Sequence, residues 1–233
     1  MKKYSELTVI IPTKDESDTL VSLLDCLRKQ SFKNFDIIVA DNSSSSVVKD
    51  ICCIHGITCV CGGLPGIASN NGVKHASSKY FLFLDADMYI CDTFIADALK
   101  ALKNLQADCL SFGFYAVTSS SLIQILHSVV KYYYFVTTKL GFPHGIGGAI
   151  LVKRKIHHLV NGFDESITVL EDFDYCKRIS KKYKYLFILS PSVGLNIRRI
   201  LKEGALYLGC KYLLMDMHRI FFGEIRKIKY FDD

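Results

Sequence analysis

Asp85-Ala86-Asp87 closes the apolar run Tyr80 to Leu84. On extended backbone, side chains i and i+2 share a face, and two carboxylates in one crevice repel each other unless a cation lies with them. A hard divalent ion, Mn2+ or Mg2+, suits such a pair and usually keeps waters and substrate phosphates as its remaining ligands. The plain alternative is a solvated acidic turn. A second group, Cys52, Cys53, His55, Cys59 and Cys61, has zinc-ligand chemistry. Zinc sites of that kind usually separate two ligand pairs by a longer insert, so these thiols are read as small core hydrophobes.

The elements that must position these groups follow from periodicity. Leu7 to Pro12, Phe35 to Ala40, Ile57 to Val60 and Tyr80 to Leu84 are short apolar runs of strand character. Between the first two, Leu20, Leu23, Leu24 and Leu27 have amphipathic helical spacing, with Ser17 or Asp18 as cap. Four serines at 43–46 mark a loop, a short helix follows, Gly62 to Gly66 is a turn, and Ile67 to Ser77 reads as helix. Strands alternating with helices imply a parallel sheet covered on both faces, with ligands collecting at the carboxyl ends of its strands. Thr13 to Glu16, Asp41, and Asp85 with Asp87 all stand there. The second half predicts helices over Asp92 to Leu105, 119–138 and Glu171 to Tyr183. Strands are expected at Cys109 to Tyr115, Gly147 to Val152 and Tyr185 to Leu189, with a last helix from Ala205 to about Lys229.

The 233 residues are 50% apolar and 22% charged, which excludes disorder and fits one domain with a small appendage. The nearest candidate for a membrane span, the charge-free stretch Cys109 to Val130, is interrupted by hydroxyls, which argues against it. No secretory-signal pattern opens the chain, and nine cysteines, an odd number, fit free thiols; the expectation is a cytoplasmic protein. The +6 charge brings no nucleic-acid motif with it.

In order along the chain, Val9-Ile10-Ile11-Pro12-Thr13-Lys14-Asp15-Glu16, Val39-Ala40-Asp41-Asn42-Ser43-Ser44, Ala68-Ser69-Asn70-Asn71-Gly72, Phe83-Leu84-Asp85-Ala86-Asp87, and Gly162-Phe163-Asp164-Glu165 with Glu171-Asp172 resemble the motifs of the family 2 glycosyltransferases. Asp15 stands where that family has Asn, and Ser69 where it has Arg. The resemblance implies an α/β fold of GT-A type, a mostly parallel central sheet flanked by helices. Residues 1–204 would be one catalytic domain, with a donor half of about 1–105 and an acceptor half of about 106–204, and 205–233 a C-terminal amphipathic basic helix.

The resemblance also implies roles. Asp41 would meet the nucleobase; Pro12, Thr13 and Glu16 would line the nucleoside pocket; Asn70, Asp85, Ala86 and Asp87 would complete the nucleotide-sugar site. Asp85 and Asp87 would hold Mn2+ or Mg2+ at the leaving diphosphate. An inverting transfer needs a base opposite that diphosphate. Asp172 is the candidate, with Glu171 the rival and a helix cap the plain reading. Arg198 and Arg199, within a stretch from Lys177 to Lys202 that has no acid, can engage phosphate or form a solvated basic face.

The last helix places Leu206, Cys210, Leu213, Leu214, Met217, Ile220, Phe221, Ile225 and Ile228 at helical spacing, with basic residues between them. It can lie peripherally on the cytoplasmic membrane face, pack on the domain or dimerise; the Tyr132 to Phe135 cluster is a second membrane contact. The function expected is metal-dependent inverting transfer from a nucleoside-diphosphate sugar, first a UDP-sugar, to a hydroxyl or a saccharide or lipid-linked acceptor. A polyprenyl-phosphate sugar synthase using GDP- or UDP-sugar is the near alternative. From other classes come a nucleotidyltransferase, disfavoured because Ile11 to Ser17 has no glycine, and a non-catalytic nucleotide- or membrane-binding protein.

Overall fold

A computed structural model describes residues 5–145 and 148–226, apart from the side chains at 206 and 220. In chain order the elements are β1 (Leu7–Thr13), α1 (Ser17–Lys29), β2 (Phe35–Asp41), α2 (Val47–His55), β3 (Thr58–Cys61), α3 (Pro65–Lys74), β4 (Tyr80–Phe83), β5 (Met88–Tyr89) and α4 (Phe94–Asn104). Then come β6 (Cys109–Ala116), α5 (Ser121–Lys139), β7 (Ile150–Lys153), α6 (Arg154–Leu159), α7 (Glu171–Ser180), β8 (Tyr185–Leu195), α8 (Arg198–Glu203) and α9 (Ala205–Phe222).

The strands form one sheet in the order β3-β2-β1-β4-β7-β6-β8-β5. β1 to β4 run parallel, as their alternation with helices predicts. β7 is antiparallel to both β4 and β6, a single reversed strand between neighbours that run in one direction. Alternation along each strand sends side chains to both faces. Val9, Ile11, Leu82 and Leu84 pack with Leu20, Leu23, Leu24 and Leu27 of α1, while Ile10, Phe81 and Phe83 pack with Phe163, Tyr175 and Ile179 on the opposite face.

Three expectations are corrected. The α1 cap is neither Ser17 nor Asp18: Glu16 holds the N-cap position and no side chain bonds the helix end. Asp85-Ala86-Asp87 is not extended; β4 stops at Phe83, and a turn closed by Met88 N–H donating to the Asp85 carbonyl (3.2 Å) joins it to β5. The third correction is that β8 runs on to Leu195 and ends at a six-residue helix, α8, which starts at Arg198. Much of the α9 stripe is turned outward. Cys210, Leu213, Leu214, Met217 and Phe221 of the apolar stripe are exposed, while Asp216 and Arg219 face inward. Leu206 and Ile220 side chains and residues 227–233, including Ile228, lie outside the described residues, as does Gly147 of the strand expected there. No described helix is long and apolar enough to cross a membrane.

Candidate active site

The first part of the site is set by two adjacent parallel strands. Register pairs Thr13 with Asp41 at the ends of β1 and β2. Thr13 Oγ1 donates to Asp41 Oδ1 at 2.8 Å, and the same oxygen accepts from Ser43 N–H (3.1 Å) and Ser43 Oγ (2.6 Å). Asp41 Oδ2 is buried and has no hydrogen-bond partner among the described residues. An unmatched buried carboxylate oxygen costs about 1–3 kcal/mol or more unless a donor arrives. The loop beside it is stapled both ways: Asp15 N–H donates to Ser43 Oγ at 2.8 Å, and Ser44 N–H donates to Asp15 Oδ1 at 3.1 Å. Asp15 adopts positive φ, a conformation that Asp and Asn tolerate better than most residues. Thr13 therefore orients Asp41, and Pro12 is partly exposed beside it.

The second part is a crevice of carboxylates. Burial pushes the Asp85 carboxyl well above its ordinary range, and Asp87, Glu171, Glu16 and Asp172 push it further in that order. Glu16 is raised by burial and by Asp87, against Arg198 and Arg199. Asp87 is raised by burial, against Arg199 and Arg198. Four other acids thus act on Asp85, each disfavouring its ionisation. An oxygen-only pair with surplus negative charge fits a hard divalent cation. Ala86 itself points into the core, so only its main chain can reach a ligand, a correction to its place among the site residues.

Two glycines that sequence reasoning passed over back these acids. Gly148 has positive φ, and a Cβ there would stand 2.6 Å from Asp85 Cγ and 2.7 Å from its nitrogen. A Cβ on Gly145 would meet Asp172 Cβ and Oδ2 at 2.8 Å. The signal was present as His144-Gly145-Ile146-Gly147-Gly148: glycine recurring before a strand marks close backbone approach.

Glu171 and Asp172 open α7. Asp172 is 6% exposed and its Oδ1 accepts from the Phe173 N–H at 2.9 Å. The amides of a helix N-terminus favour a carboxylate there. Burial outweighs that: the Asp172 carboxyl is raised, despite Phe173 N–H and Arg219, which lower it. Glu171 is raised by burial and by Asp172. Asn70 does not present a free amide. It donates to the Phe163 carbonyl (2.9 Å) and Glu165 Oε1 (3.0 Å), and it accepts from Phe163 N–H (2.9 Å).

Arg198 reaches the crevice, pairing with Glu16 at 3.2 Å; Arg199 acts on Asp87 and Glu16 through its charge. The rest of the basic stretch disperses: Lys177 pairs with Glu224, Arg178 with Asp174, and Lys184 Nζ donates to the Leu105 carbonyl. The cysteine group also separates, with Cys52 in the core and Cys53 and Cys61 exposed. Among the described residues no three His, Cys, Asp or Glu side chains gather to hold a metal by themselves.

Residues 8–160, well over half of the chain, match glycosyl transferase family 2. The chain belongs to that family. As a family 2 member it is a glycosyltransferase. AmsB, the amylovoran biosynthesis glycosyltransferase of Erwinia amylovora, is 26% identical over 222 residues, which cover 82% of this chain and 69% of AmsB. WfaP of Escherichia coli, a UDP-Glc:alpha-D-GlcNAc-diphosphoundecaprenol beta-1,3-glucosyltransferase, is 31% identical over 106 residues, 42% of this chain and 41% of WfaP. S. aureus TarS 1–349 in complex with UDP aligns at a TM-score of 0.65 and 17% identity, covering 82% of this chain and 60% of that one. The mannosyltransferase PcManGT of Pyrobaculum calidifontis, in complex with GDP-Man and Mn2+, aligns at 0.65 and 18% identity, covering 83% and 57%. The chain spans less than two thirds of either structure. Both likenesses bear on the fold, and they bear out the GT-A arrangement with its mostly parallel sheet.

Proposed function

We propose that this family 2 glycosyltransferase moves a sugar, with inversion, from a nucleoside-diphosphate sugar to a hydroxyl of a saccharide or lipid-linked acceptor. UDP is the nucleotide we favour, since WfaP is named for UDP-Glc and TarS was solved with UDP; PcManGT, solved with GDP-Man, keeps GDP as the competitor. The observation that carries the reading is the meeting of Asp85, Asp87, Glu171 and Asp172 in one buried field.

The unpartnered Asp41 Oδ2 is the acceptor for a nucleobase N–H, with Thr13 and Ser43 fixing its other oxygen. Glu16 and Pro12 line the nucleoside side. Asp85 and Asp87 are the ligands for Mn2+ or Mg2+, which when bound would neutralise charge on the leaving diphosphate. Arg198 and Arg199 supply further positive charge to the same group. Asp172, set against Gly145, takes the proton of the acceptor hydroxyl, with Glu171 as its rival. Asn70 is reassigned from donor binding to positioning, since its amide is spent on Phe163 and Glu165. Should the acceptor be a lipid phosphate, as for a polyprenyl-phosphate sugar synthase, it arrives ionised and no base is needed.

The acceptor side points to an anionic lipid surface. α5 buries none of its residues completely and exposes Leu122, Ile125 and Val129; α9, joined to it by Tyr133 Oη donating to Asp216 Oδ2, exposes Leu213, Leu214 and Phe221. α5 has no acid and carries Lys131 and Lys139, and the one acid of α9, Asp216, is buried. Exposed apolar side chains on two joined helices, with lysines beside them, suit a membrane interface.

Titration calorimetry of UDP and GDP with Mn2+ and with chelator tests the donor site. Binding that needs the metal, and loses that need in Asp87→Ala, is expected; equal affinity with and without chelator would count against the site. Product NMR showing retained anomeric configuration, or full transfer to a hydroxyl by Asp172→Asn, would remove Asp172 from the base role.

A further inference from the structure

α9 buries an ion pair. Asp216 and Arg219 are each 5% exposed, about as little as Leu208 of the same helix, while Leu213, Leu214, Met217 and Phe221 face out. Burying two charges costs several kcal/mol per ion before pairing offsets it, so the arrangement calls for a reason beyond anchoring a helix that has leucines to spare. The contacts supply one. Asp216 Oδ1 accepts from Arg219 NH2 at 2.8 Å and from its Nε at 3.3 Å, and Asp216 Oδ2 lies 3.1 Å from Nε2 of the fully buried His144. The other ring nitrogen, Nδ1, is 3.2 Å from Thr137 Oγ1, and that hydroxyl also donates to the Tyr133 carbonyl at 2.7 Å.

Two arms of this network lead to Asp172. His144 is stacked on Tyr134 with ring centroids 4.5 Å apart and stands edge-on to Phe173 at 5.1 Å. Its carbonyl accepts from Tyr185 Oη at 2.6 Å. The next residue, Gly145, forms the wall against the Asp172 carboxylate. Arg219 lies 4.8 Å over the ring of Phe173, whose N–H holds Asp172 Oδ1. The charge of Arg219 also opposes the burial that raises Asp172, as the Phe173 N–H does. The other titratable groups in this field are Glu171, Asp85, Tyr134 and Cys176, of which none is a cation.

We propose that His144, Asp216 and Arg219 are positioning residues that hold Asp172 in place and ionised for transfer, so that the last helix is a working part of the catalytic centre. The inference rests on Asp172 being the base. Neither Asp216 nor His144 touches the reacting atoms; they act through Arg219 and Gly145.

The test compares Arg219→Leu, Arg219→Lys, Asp216→Asn and Asp172→Asn in the full chain, measuring the pH profile of kcat/KM for transfer to a hydroxyl, kcat, UDP affinity with Mn2+, and Tm. Removing a cation beside a base makes it harder to ionise. Arg219→Leu should therefore move the acidic limb to higher pH by about one unit and lower kcat about 10- to 100-fold, with UDP affinity unchanged. Arg219→Lys should restore the limb, and Asp216→Asn should lower kcat in the same direction. A drop in Tm with the limb and kcat unmoved, or a limb that Lys does not restore, overturns the inference while the base reading stands, provided Asp172→Asn is inactive. An active Asp172→Asn overturns both. If Arg219→Leu fails to fold, Asp216→Asn still decides: wild-type kcat and pH profile in that variant would sink the proposal.

Discussion

Asn70 and Phe163, 93 residues apart, hold each other twice: the Asn70 amide donates to the Phe163 carbonyl and accepts from its N–H, both at 2.9 Å. This clamp fixes the turn at Gly162, which has positive φ and lies against Asn70, and so fixes the approach to α7 and its two acids. Asn70→Ala leaves a backbone N–H and a carbonyl unmatched, a cost of about 2–4 kcal/mol. We expect Tm to fall by several degrees and UDP affinity to stay within about twofold, because the amide is not a ligand. Weaker UDP binding at unchanged Tm would return Asn70 to the nucleotide site.

Asp41→Asn tests the unmatched oxygen. The substitution can retain the bonds from Thr13 and Ser43 at Oδ1 while placing an NH2 donor where Oδ2 had none. A donor facing a nucleobase N–H leaves both unpaired, so calorimetric affinity for UDP should fall about 10- to 100-fold with little change in Tm. Unaltered affinity would show that the orphan oxygen does not meet the base.

The parts of this enzyme legible in its sequence are those with local causes. The first four strands could be read because strands buried on both faces are short apolar runs, and their polar ends fall where ligands collect. The direction of β7 had no local signal: its partners, β4 and β6, are remote in sequence. Gly145 and Gly148 looked like strand lead-in, since what they make room for, Asp172 and Asp85, is supplied by other elements. The setting of α9 could not be read from its sequence, for a physical reason. Helical periodicity assumes that the apolar stripe faces the core, and here Asp216 and Arg219 turn inward to meet His144.

His157 gives a pH-dependent stability. It is buried, its Nδ1 lies 2.9 Å from Tyr175 Oη, and burial above all pushes its pKa down to about 3. The unfolded chain, with an ordinary value of about 6.5, takes up a proton that the folded chain refuses. The sign is thus a loss of stability as pH falls from about 6.5 toward 3, of about 1.4 kcal/mol per pH unit. The raised acids of the crevice act in the opposite sense, so the quantity to read is the difference in urea unfolding free energy between wild type and His157→Gln. That difference should grow steadily more unfavourable to wild type on acidification; a flat difference would mean that His157 is protonated in the fold.

Gly148→Ala and Gly141→Ala separate backbone strain from site geometry. Both glycines have positive φ, but a Cβ at Gly141 meets nothing within 4 Å, whereas at Gly148 it meets Asp85. Each should lose about 1–2 kcal/mol of stability from the left-handed conformation. Only Gly148→Ala displaces Asp85, and a shift approaching 1 Å at a reacting centre costs about 100-fold in rate. Equal transfer rates for the two variants would dissociate Asp85 from the chemistry.

The α5 face can be tested without touching the core. Ile125 and Val129 are 60% and 62% exposed and lie one turn apart on the helix. Changing both to Glu removes little packing, so Tm should stay within about a degree, since exposed sites away from caps and networks usually move stability by under about 0.5 kcal/mol. It places two negative charges and no apolar side chain against the lipid, where each buried CH2 contributes about 0.8 kcal/mol. Flotation with vesicles containing anionic phospholipid should therefore fall at least about tenfold for Ile125→Glu/Val129→Glu, and transfer to a soluble saccharide should be unaffected. Leu213→Glu/Leu214→Glu on α9 should act in the same direction, because Tyr133 and Asp216 join the two helices. Wild-type flotation by both double variants would take the membrane away from this face, and a concentration-dependent change in mass would give the apolar surface to a second copy of the chain instead.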